Sequence, residues 1–252
     1  MPVLFYQVLC ALAAVALTHF TVPAIGHRRV YTYYQYFCGD VAARLLRMPI
    51  GNDEHDEPFD LYQIGDTTTE HYDGGMHLWV AFALGFCFPL LPLARNPFGM
   101  AGLLGLTVLF AHLFTIDFGE FRLPNVLTQS CMLLALGTVL LSGFFGGFPD
   151  GRQSMTNALI GGVAVLGLYL LLWVIQPGKL GWGDVQLSTT VGLLLGWNGM
   201  TILAYGFAAA WVVQGLVSIA LLMVRITSMK ALLPLGPAII TTTVLVPVML
   251  VA

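Results

Sequence analysis

The sequence predicts an all-α, polytopic membrane protein, a helical bundle of about eight transmembrane helices with one large cytoplasmic loop after the first helix. Three observations lead to this fold class. Charged residues make up 9% of the 252 residues, against roughly 25% in a soluble domain. Hydrophobic residues make up 58% and the mean hydropathy is +0.83, an apolar excess that a single water-soluble core cannot bury. Uncharged runs of about the length of one membrane span recur along the whole chain.

Each predicted helix corresponds to an uncharged run that ends at Pro, Gly or charge. The first run, residues 3–25, is followed by Arg28 and Arg29, whereas a signal peptide has its basic residues before the apolar run, so we expect this helix to be retained. The run 185–224 has 40 uncharged residues, about 60 Å as a helix, and must therefore turn back, near residues 196–199. The predicted spans are 3–25, 76–94, 98–116, 126–148, 156–176, two within 185–224, and 231–252.

Three segments follow from this pattern: a first transmembrane helix at 1–27, an acidic loop domain at 28–75, and a membrane-embedded domain at 76–252. The loop holds nine of the 13 acidic residues. Its acids, with His55, His71 and His77, are of types that bind metal, but they lack the spacing of a zinc site. A solvated acidic loop is the favoured interpretation, and we predict no metal and no cofactor.

The basic residues predict an orientation with the amino terminus outside the cytoplasm. With eight spans in that direction, eight of the ten Lys and Arg residues face the cytoplasm and only Arg95 and Arg152 face outward. This is the bias of the positive-inside rule. The cytoplasmic set is Arg28, Arg29, Arg44, Arg47, Arg122, Lys179, Arg225 and Lys230.

Charge and cysteine spacing exclude further classes of protein. A net charge of −3 with dispersed basic residues does not form the basic surface that nucleic acid requires, so we expect membrane lipid as a partner and no nucleic acid. Cys10, Cys38, Cys87 and Cys131 contain no C-x-x-C pair, which argues against a zinc ribbon or a disulfide framework.

Two aspartates stand out among the predicted helices. Asp117 ends the third span and Asp184 opens the sixth, so both reach the cytoplasmic edge of the membrane. Two carboxyl groups at one depth can share a proton and a water, as in aspartic proteases. The alternative is that each is an ordinary helix-end residue, with Asp184 capping its helix. Asp150 is set aside as a solvated turn residue.

The neighbourhoods of these aspartates resemble the type IV prepilin peptidases, membrane-embedded aspartic endopeptidases of the GxGD type. Asp117 is followed seven residues later by Pro124, then by Asn125, Leu127 and Thr128. Gly181, Gly183 and Asp184 form a G-x-G-D block, and Lys230 with Pro234, Gly236 and Pro237 is similar to the family's P-x-G-P motif near the last helix. The resemblance covers residue 98 to the carboxyl terminus.

This resemblance implies a function and a set of site residues. Asp117 and Asp184 would be the catalytic pair of an enzyme that removes short basic leader peptides from prepilins or pseudopilins at the cytoplasmic face of the bacterial inner membrane. The residues implied to bind substrate or shape the site are Gly181, Gly183, Pro124, Asn125, Lys230, Pro234, Gly236 and Pro237. Gly161, Gly162 and Gly167 are expected only to permit close helix packing.

The chain departs from the family pattern in its first loop. Bacterial members usually carry two C-x-x-C pairs there, and many also methylate the new amino terminus, but this loop contains Cys38 alone. We therefore expect the protein to cut its substrate without N-methyltransferase activity. The acidic cluster between Asp53 and Asp60 attracts a basic leader or serves only to solubilise the loop.

Two other classes of function fit the composition. A proton-coupled transporter would use Asp117 and Asp184 as relays, although these lie near the membrane edge rather than at its midplane. A noncatalytic membrane subunit would contain the same blocks by accident. Cleavage of a leader-bearing pilin by the purified protein distinguishes all three.

Overall fold

The computed structural model describes residues 2–25, 76–120, 123–175, 180–223 and 236–251. Eight α-helices, two short 3₁₀ helices and no strand lie in these ranges, which confirms the predicted all-α class. The α-helices are α1 (Pro2–Ile25), α2 (Met76–Cys87), α3 (Pro97–Glu120), α4 (Asn125–Phe145), α5 (Gly151–Ile175), α6 (Trp182–Trp197), α7 (Met200–Met223) and α8 (Gly236–Val251).

Five of these helices, α1, α3, α4, α5 and α7, contain stretches long and apolar enough to cross a membrane. Two shorter apolar helical stretches, His77–Leu90 and Gly236–Leu250, belong to the regions of α2 and α8, and α6 has 16 residues. The chain is thus a multi-pass membrane protein. The predicted acidic loop domain at 28–75 lies outside the described residues.

Several helix bounds differ from the predicted spans; α5, for example, begins at Gly151 rather than at residue 156. Helix α2 ends at Cys87, before the end of the predicted run at 94, because Pro89 and Pro92 lie at the starts of two 3₁₀ turns that follow it, Phe88–Leu90 and Pro92–Arg95. Helix α6 begins at Trp182, so Asp184 lies within its first turn. Helix α8 begins at Gly236, and the earlier residues of the predicted span lie outside the described residues.

Helix α6 is the core of the bundle. Each of its residues from Val185 to Trp197 is buried, and it packs against α4, α5, α7 and α8. Its approach to α5 is close because glycines face each other: a Cβ on Gly161 would lie 2.8 Å from Gly192 O, and one on Gly162 would lie 2.7 Å from Leu193 Cδ2. The predicted packing role is confirmed for Gly161 and Gly162. It is wrong for Gly167, where a Cβ would meet nothing within 4 Å.

Contacts between helix ends define the two ends of the bundle. Asp117 in the last turn of α3 contacts Gly236 at the start of α8, and the segment before α4 contacts the first turn of α6, as detailed below; we call this the Asp117 end. At the opposite end Asn96 caps α3, accepting from Gly99 N–H at 2.7 Å and from Ser142 Oγ of α4 at 3.3 Å. The exposed Asp150 lies in the turn between α4 and α5, and its carbonyl accepts the Ser154 N–H.

One histidine that the sequence analysis considered together with the loop acids lies in the bundle. His77 lies in α2, 3% exposed, and its ring stacks on His112 of α3 with centroids 5.9 Å apart. His112 Nε2 in turn lies 3.0 Å from Thr21 Oγ1 of α1. The predicted span at 76–94 already contains His77, and the helix does begin at Met76.

Candidate active site

Asp117 lies in the last turn of α3 and is 3% exposed. A carboxyl group this deep requires a hydrogen-bond donor. The donor comes from another helix: the backbone N–H of Gly236, the first residue of α8, donates to Asp117 Oδ2 at 2.8 Å. This N–H has no acceptor within its own helix because it belongs to the first turn. This hydrogen bond holds the start of α8 against the end of α3.

The residue at position 236 must be small for this contact to form. A Cβ built on Gly236 would lie 2.7 Å from Asp117 Oδ2 and 3.3 Å from Asp117 Cγ. Such distances are too short for a carbon atom, so any side chain would displace the carboxyl group or the start of α8. Pro237 follows directly and suits the first turn, where its missing N–H leaves no bond unmade.

Asp184 occupies the third position of α6 and closes its first turn. Its Oδ2 accepts the backbone N–H of Gly181, the capping residue of the helix, at 3.1 Å. The carboxyl group therefore lies at the positive end of the helix dipole. In the sequence analysis, helix capping was the alternative to a catalytic role. Asp184 does make this capping contact.

The two aspartates lie at the same end of the bundle, Asp117 in the last turn of α3 and Asp184 in the first turn of α6. Negative charges on two carboxyl groups at one end of a bundle repel each other. Repulsion between neighbouring carboxylates favours a state in which the pair holds one proton. A pair of this kind can act as base and acid in turn, with the ionised group accepting a proton from water and the protonated group donating.

The segment before α4 contacts the first turn of α6 through Gly183. A Cβ on Gly183 would lie 2.8 Å from both Leu123 Cβ and Leu123 O, so glycine is needed for this approach. Pro124, buried, follows Leu123 and caps α4: its carbonyl accepts the N–H groups of Leu127 at 3.1 Å and Thr128 at 3.2 Å. Asn125 is the first residue of α4.

Three side chains at this end received no role in the sequence analysis. Gln186 and Trp182 of α6 and Thr128 of α4 form a polar cluster, because the Gln186 amide contacts both other side chains. Two signals in the sequence could have indicated them. Gln186 interrupts an apolar run, and it lies one helical turn after Trp182.

The structure thus brings most of the predicted site residues together. Asp117 contacts Gly236, Asp184 contacts Gly181, and Gly183 contacts the residue before Pro124. Pro237 and Asn125 occupy the first turns of α8 and α4. Lys230 and Pro234 lie outside the described residues.

Comparison with known proteins gives two matches. The family model described as the type IV leader peptidase family matches residues 103–233, a range that includes both Asp117 and Asp184. A protein of Vibrio cholerae serotype O1, named prepilin leader peptidase/N-methyltransferase, is 28% identical over 165 residues, 63% of this chain and 60% of the relative. The alignment therefore spans about three fifths of the relative's length. No solved structure gives a significant match.

Proposed function

The chain belongs to the type IV leader peptidase family, and from that premise we propose that it is a membrane-embedded aspartic endopeptidase with Asp117 and Asp184 as its catalytic pair. Its substrates are type IV prepilins or related pseudopilins, from which it removes the short basic leader. The observation that supports this best is the placement of both carboxyl groups at one end of the bundle, within the range of residues that the family model matches.

The chemistry follows from the pair. The ionised carboxyl group takes a proton from a water molecule as the water oxygen attacks the scissile carbonyl carbon, while the protonated carboxyl group donates a hydrogen bond to the carbonyl oxygen. Proton transfer to the leaving nitrogen then breaks the C–N bond and gives a carboxylic acid and a new amino terminus. The burial of Asp117 supports this role, because a dry site strengthens its interaction with developing charge.

The remaining site residues admit and hold an extended peptide. A peptide bond inside a helix is shielded, so the substrate must unwind before its carbonyl can be attacked. Gly181 and Gly183 leave the backbone at the start of α6 without side chains that would block such a strand. We assign Pro124, Asn125, Lys230, Pro234, Gly236 and Pro237 to shaping this site, with Gly236 acting through its contact with Asp117.

We assign the Asp117 end to the cytoplasmic face of the bacterial inner membrane and the amino terminus to the other side. The support is the distribution of basic residues, of which Arg122 and Lys179 flank α4 and α6 on this side. Prepilin leaders are basic, so the acidic loop at 28–75 would attract them at short range. This loop lies outside the described residues, and its solubilising role is the alternative.

The experiment is cleavage of a leader-bearing prepilin by the purified protein in detergent or liposomes, followed by mass spectrometry of the products. Wild-type protein should release the leader, and Asp117→Asn and Asp184→Asn should not. A folded wild-type preparation that leaves the prepilin intact would overturn the proposal. The family match does not favour the transporter alternative, which predicts proton-driven uptake in the same liposomes without cleavage.

Methyl transfer is a separate question from cleavage. The loop sequence predicts that it is absent, but the Vibrio cholerae relative is named for both activities, so the comparison does not support that prediction. Mass spectrometry of the mature pilin, processed with S-adenosylmethionine present, decides the matter. A free amine would support the prediction, and an added methyl group would overturn it.

A further inference from the structure

A single amide side chain links the two helices that begin beside the aspartates. Gln186 lies two residues after Asp184 and is 8% exposed. Within a membrane bundle a buried amide without hydrogen-bond partners is costly, because its polar atoms have been removed from water. Its hydrogen bonds therefore constrain the helices that supply the partners.

All of its partners come from the first turns of α4 and α6. In the amide orientation that satisfies both ends of the group, Nε2 donates to Thr128 Oγ1 at 2.6 Å and to the Asn125 carbonyl at 3.3 Å. Oε1 accepts from the indole Nε1 of Trp182 at 2.9 Å. Thr128 is fully buried, and its own hydroxyl donates to the Asn125 carbonyl at 3.1 Å. We call these contacts the Gln186 clamp.

The clamp fixes the rotation of α6 about its axis. Trp182 and Gln186 are one turn apart and so lie on the same face of the helix, the face held against α4. Asp184, halfway between them, lies about 200° around the helix from each, on the other face. The contacts with α4 therefore fix the side of α6 on which the Asp184 carboxyl group lies.

We propose that Gln186 is a positioning residue for the Asp117–Asp184 pair, acting through the orientation of α6. This inference rests on the proposed peptidase function. Gln186 itself does not touch substrate; it sets the geometry of Asp184. Loss of the clamp should lower kcat with little change in KM, because the chemical step depends on carboxyl placement and substrate binding does not. A shift of about 1 Å in a reacting group can cost about a hundredfold in rate.

The first test is Gln186→Met, which keeps the side-chain length and removes the hydrogen bonds. We expect kcat for prepilin cleavage to fall about ten- to a hundredfold, with KM close to that of the wild type. The matched control is Gln7→Met: Gln7 is also buried, at 7% exposure, and also bonds across helices, to the Phe86 carbonyl at 3.3 Å. Gln7 lies in α1, and its described hydrogen bond is to Phe86 and to neither aspartate. The kcat of the Gln7→Met variant should therefore equal that of the wild type.

The second test approaches the clamp from α4. Thr128→Val should lower kcat in the same direction, and Thr128→Ser, which restores the hydroxyl, should recover most of the loss. Thr138→Val is the control on the same helix, since its buried hydroxyl bonds only to the Leu134 carbonyl of its own helix among the contacts described. Because Gln186 and Thr128 act together, the double variant should lose much less than the product of the two single losses.

The outcomes separate this inference from the proposed function. If the wild type cleaves, Asp184→Asn does not, and Gln186→Met and Thr128→Val keep wild-type kcat, the clamp has no positioning role and the peptidase proposal stands. If kcat of Gln186→Met falls no further than kcat of Gln7→Met, the positioning role is also overturned, since a general loss of stability would then explain both variants. If Gln186→Met does not fold, the Thr128 pair decides. A folded wild type that cleaves nothing removes the proposed function itself.

Discussion

The backbone N–H of Gly236 donates a 2.8 Å hydrogen bond to Asp117 Oδ2 across 119 residues of sequence. The start of α8 is thereby held against the end of α3, and one oxygen of the buried carboxyl group has a fixed partner. The contact depends on a residue without a side chain, because a Cβ at position 236 would lie 2.7 Å from the same oxygen.

The first prediction concerns the carboxyl pair. Asp117→Asn and Asp184→Asn should each lower prepilin cleavage by about a thousandfold or more, because an amide keeps the shape but cannot take a proton from water. Cleavage is measured by mass spectrometry with variants purified in parallel. Asp150→Asn is the control, since this exposed turn residue lies at the opposite end of the bundle, and it should retain full activity. Substantial activity in either site variant would remove that residue from the mechanism.

The second prediction concerns Gly236. Gly236→Ala should reduce kcat for cleavage strongly, by about tenfold or more, because the added methyl group displaces the Asp117 carboxyl group or the start of α8. Gly137→Ala in α4 is the matched control, since a Cβ there meets nothing within 4 Å. An alanine at 236 with wild-type kcat would show that the contact does not matter for the reaction.

The third prediction concerns the stability of the α5–α6 contact. Gly161→Ala should lower stability by about 1–3 kcal/mol, because its Cβ would lie 2.8 Å from the Gly192 carbonyl oxygen. Thermal unfolding in detergent measures the change. Gly167→Ala in the same helix meets open space and should leave Tm unchanged or raise it, since alanine favours helix over glycine. Equal Tm values for the two variants would contradict the tight packing.

The fourth prediction concerns orientation. A reporter inserted near Asp53, or between Arg225 and Lys230, should be cytoplasmic, and one at Asp150 or Asn198 should lie outside. The reason is the distribution of basic residues, eight of ten on one side. Reporter activity on each side is measured in whole cells. Asp53 and Asp150 reporters on the same side would show that the span count is wrong.

The sequence was sufficient to predict which segments become helices but not how the helices face one another. Uncharged runs fix the length and depth of a span, and they placed both aspartates at one end of the bundle. The predicted bounds were wrong where a proline ends a helix before the next charged residue, as Pro89 does after α2. Helices that are apolar nearly all round carry little periodicity to show which face is buried.

The contacts at the site depend on that missing rotational information. Gln186 and Thr128 are 58 residues apart, and the residues around each of them in the sequence do not predict that the two side chains are in contact. The motif residues Gly181, Gly183 and Asp184 were predicted through a resemblance, whereas Trp182, between them, received no role. Only the packing of α4 against α6 shows that its indole is a hydrogen-bond donor to Gln186.

The burial of α6 has a consequence for how the bilayer acts on the protein. Sixteen residues extend about 24 Å, less than the roughly 30 Å of a hydrocarbon core. A lipid-facing helix this short would thin the bilayer or tilt its neighbours. Helix α6 is covered by protein from Val185 to Trp197. A mismatch between helix length and bilayer thickness therefore affects α5 and α7, whose surfaces are largely exposed. Changes in membrane thickness therefore deform the outer helices first, and the helix that begins at the Asp184 turn is insulated from them.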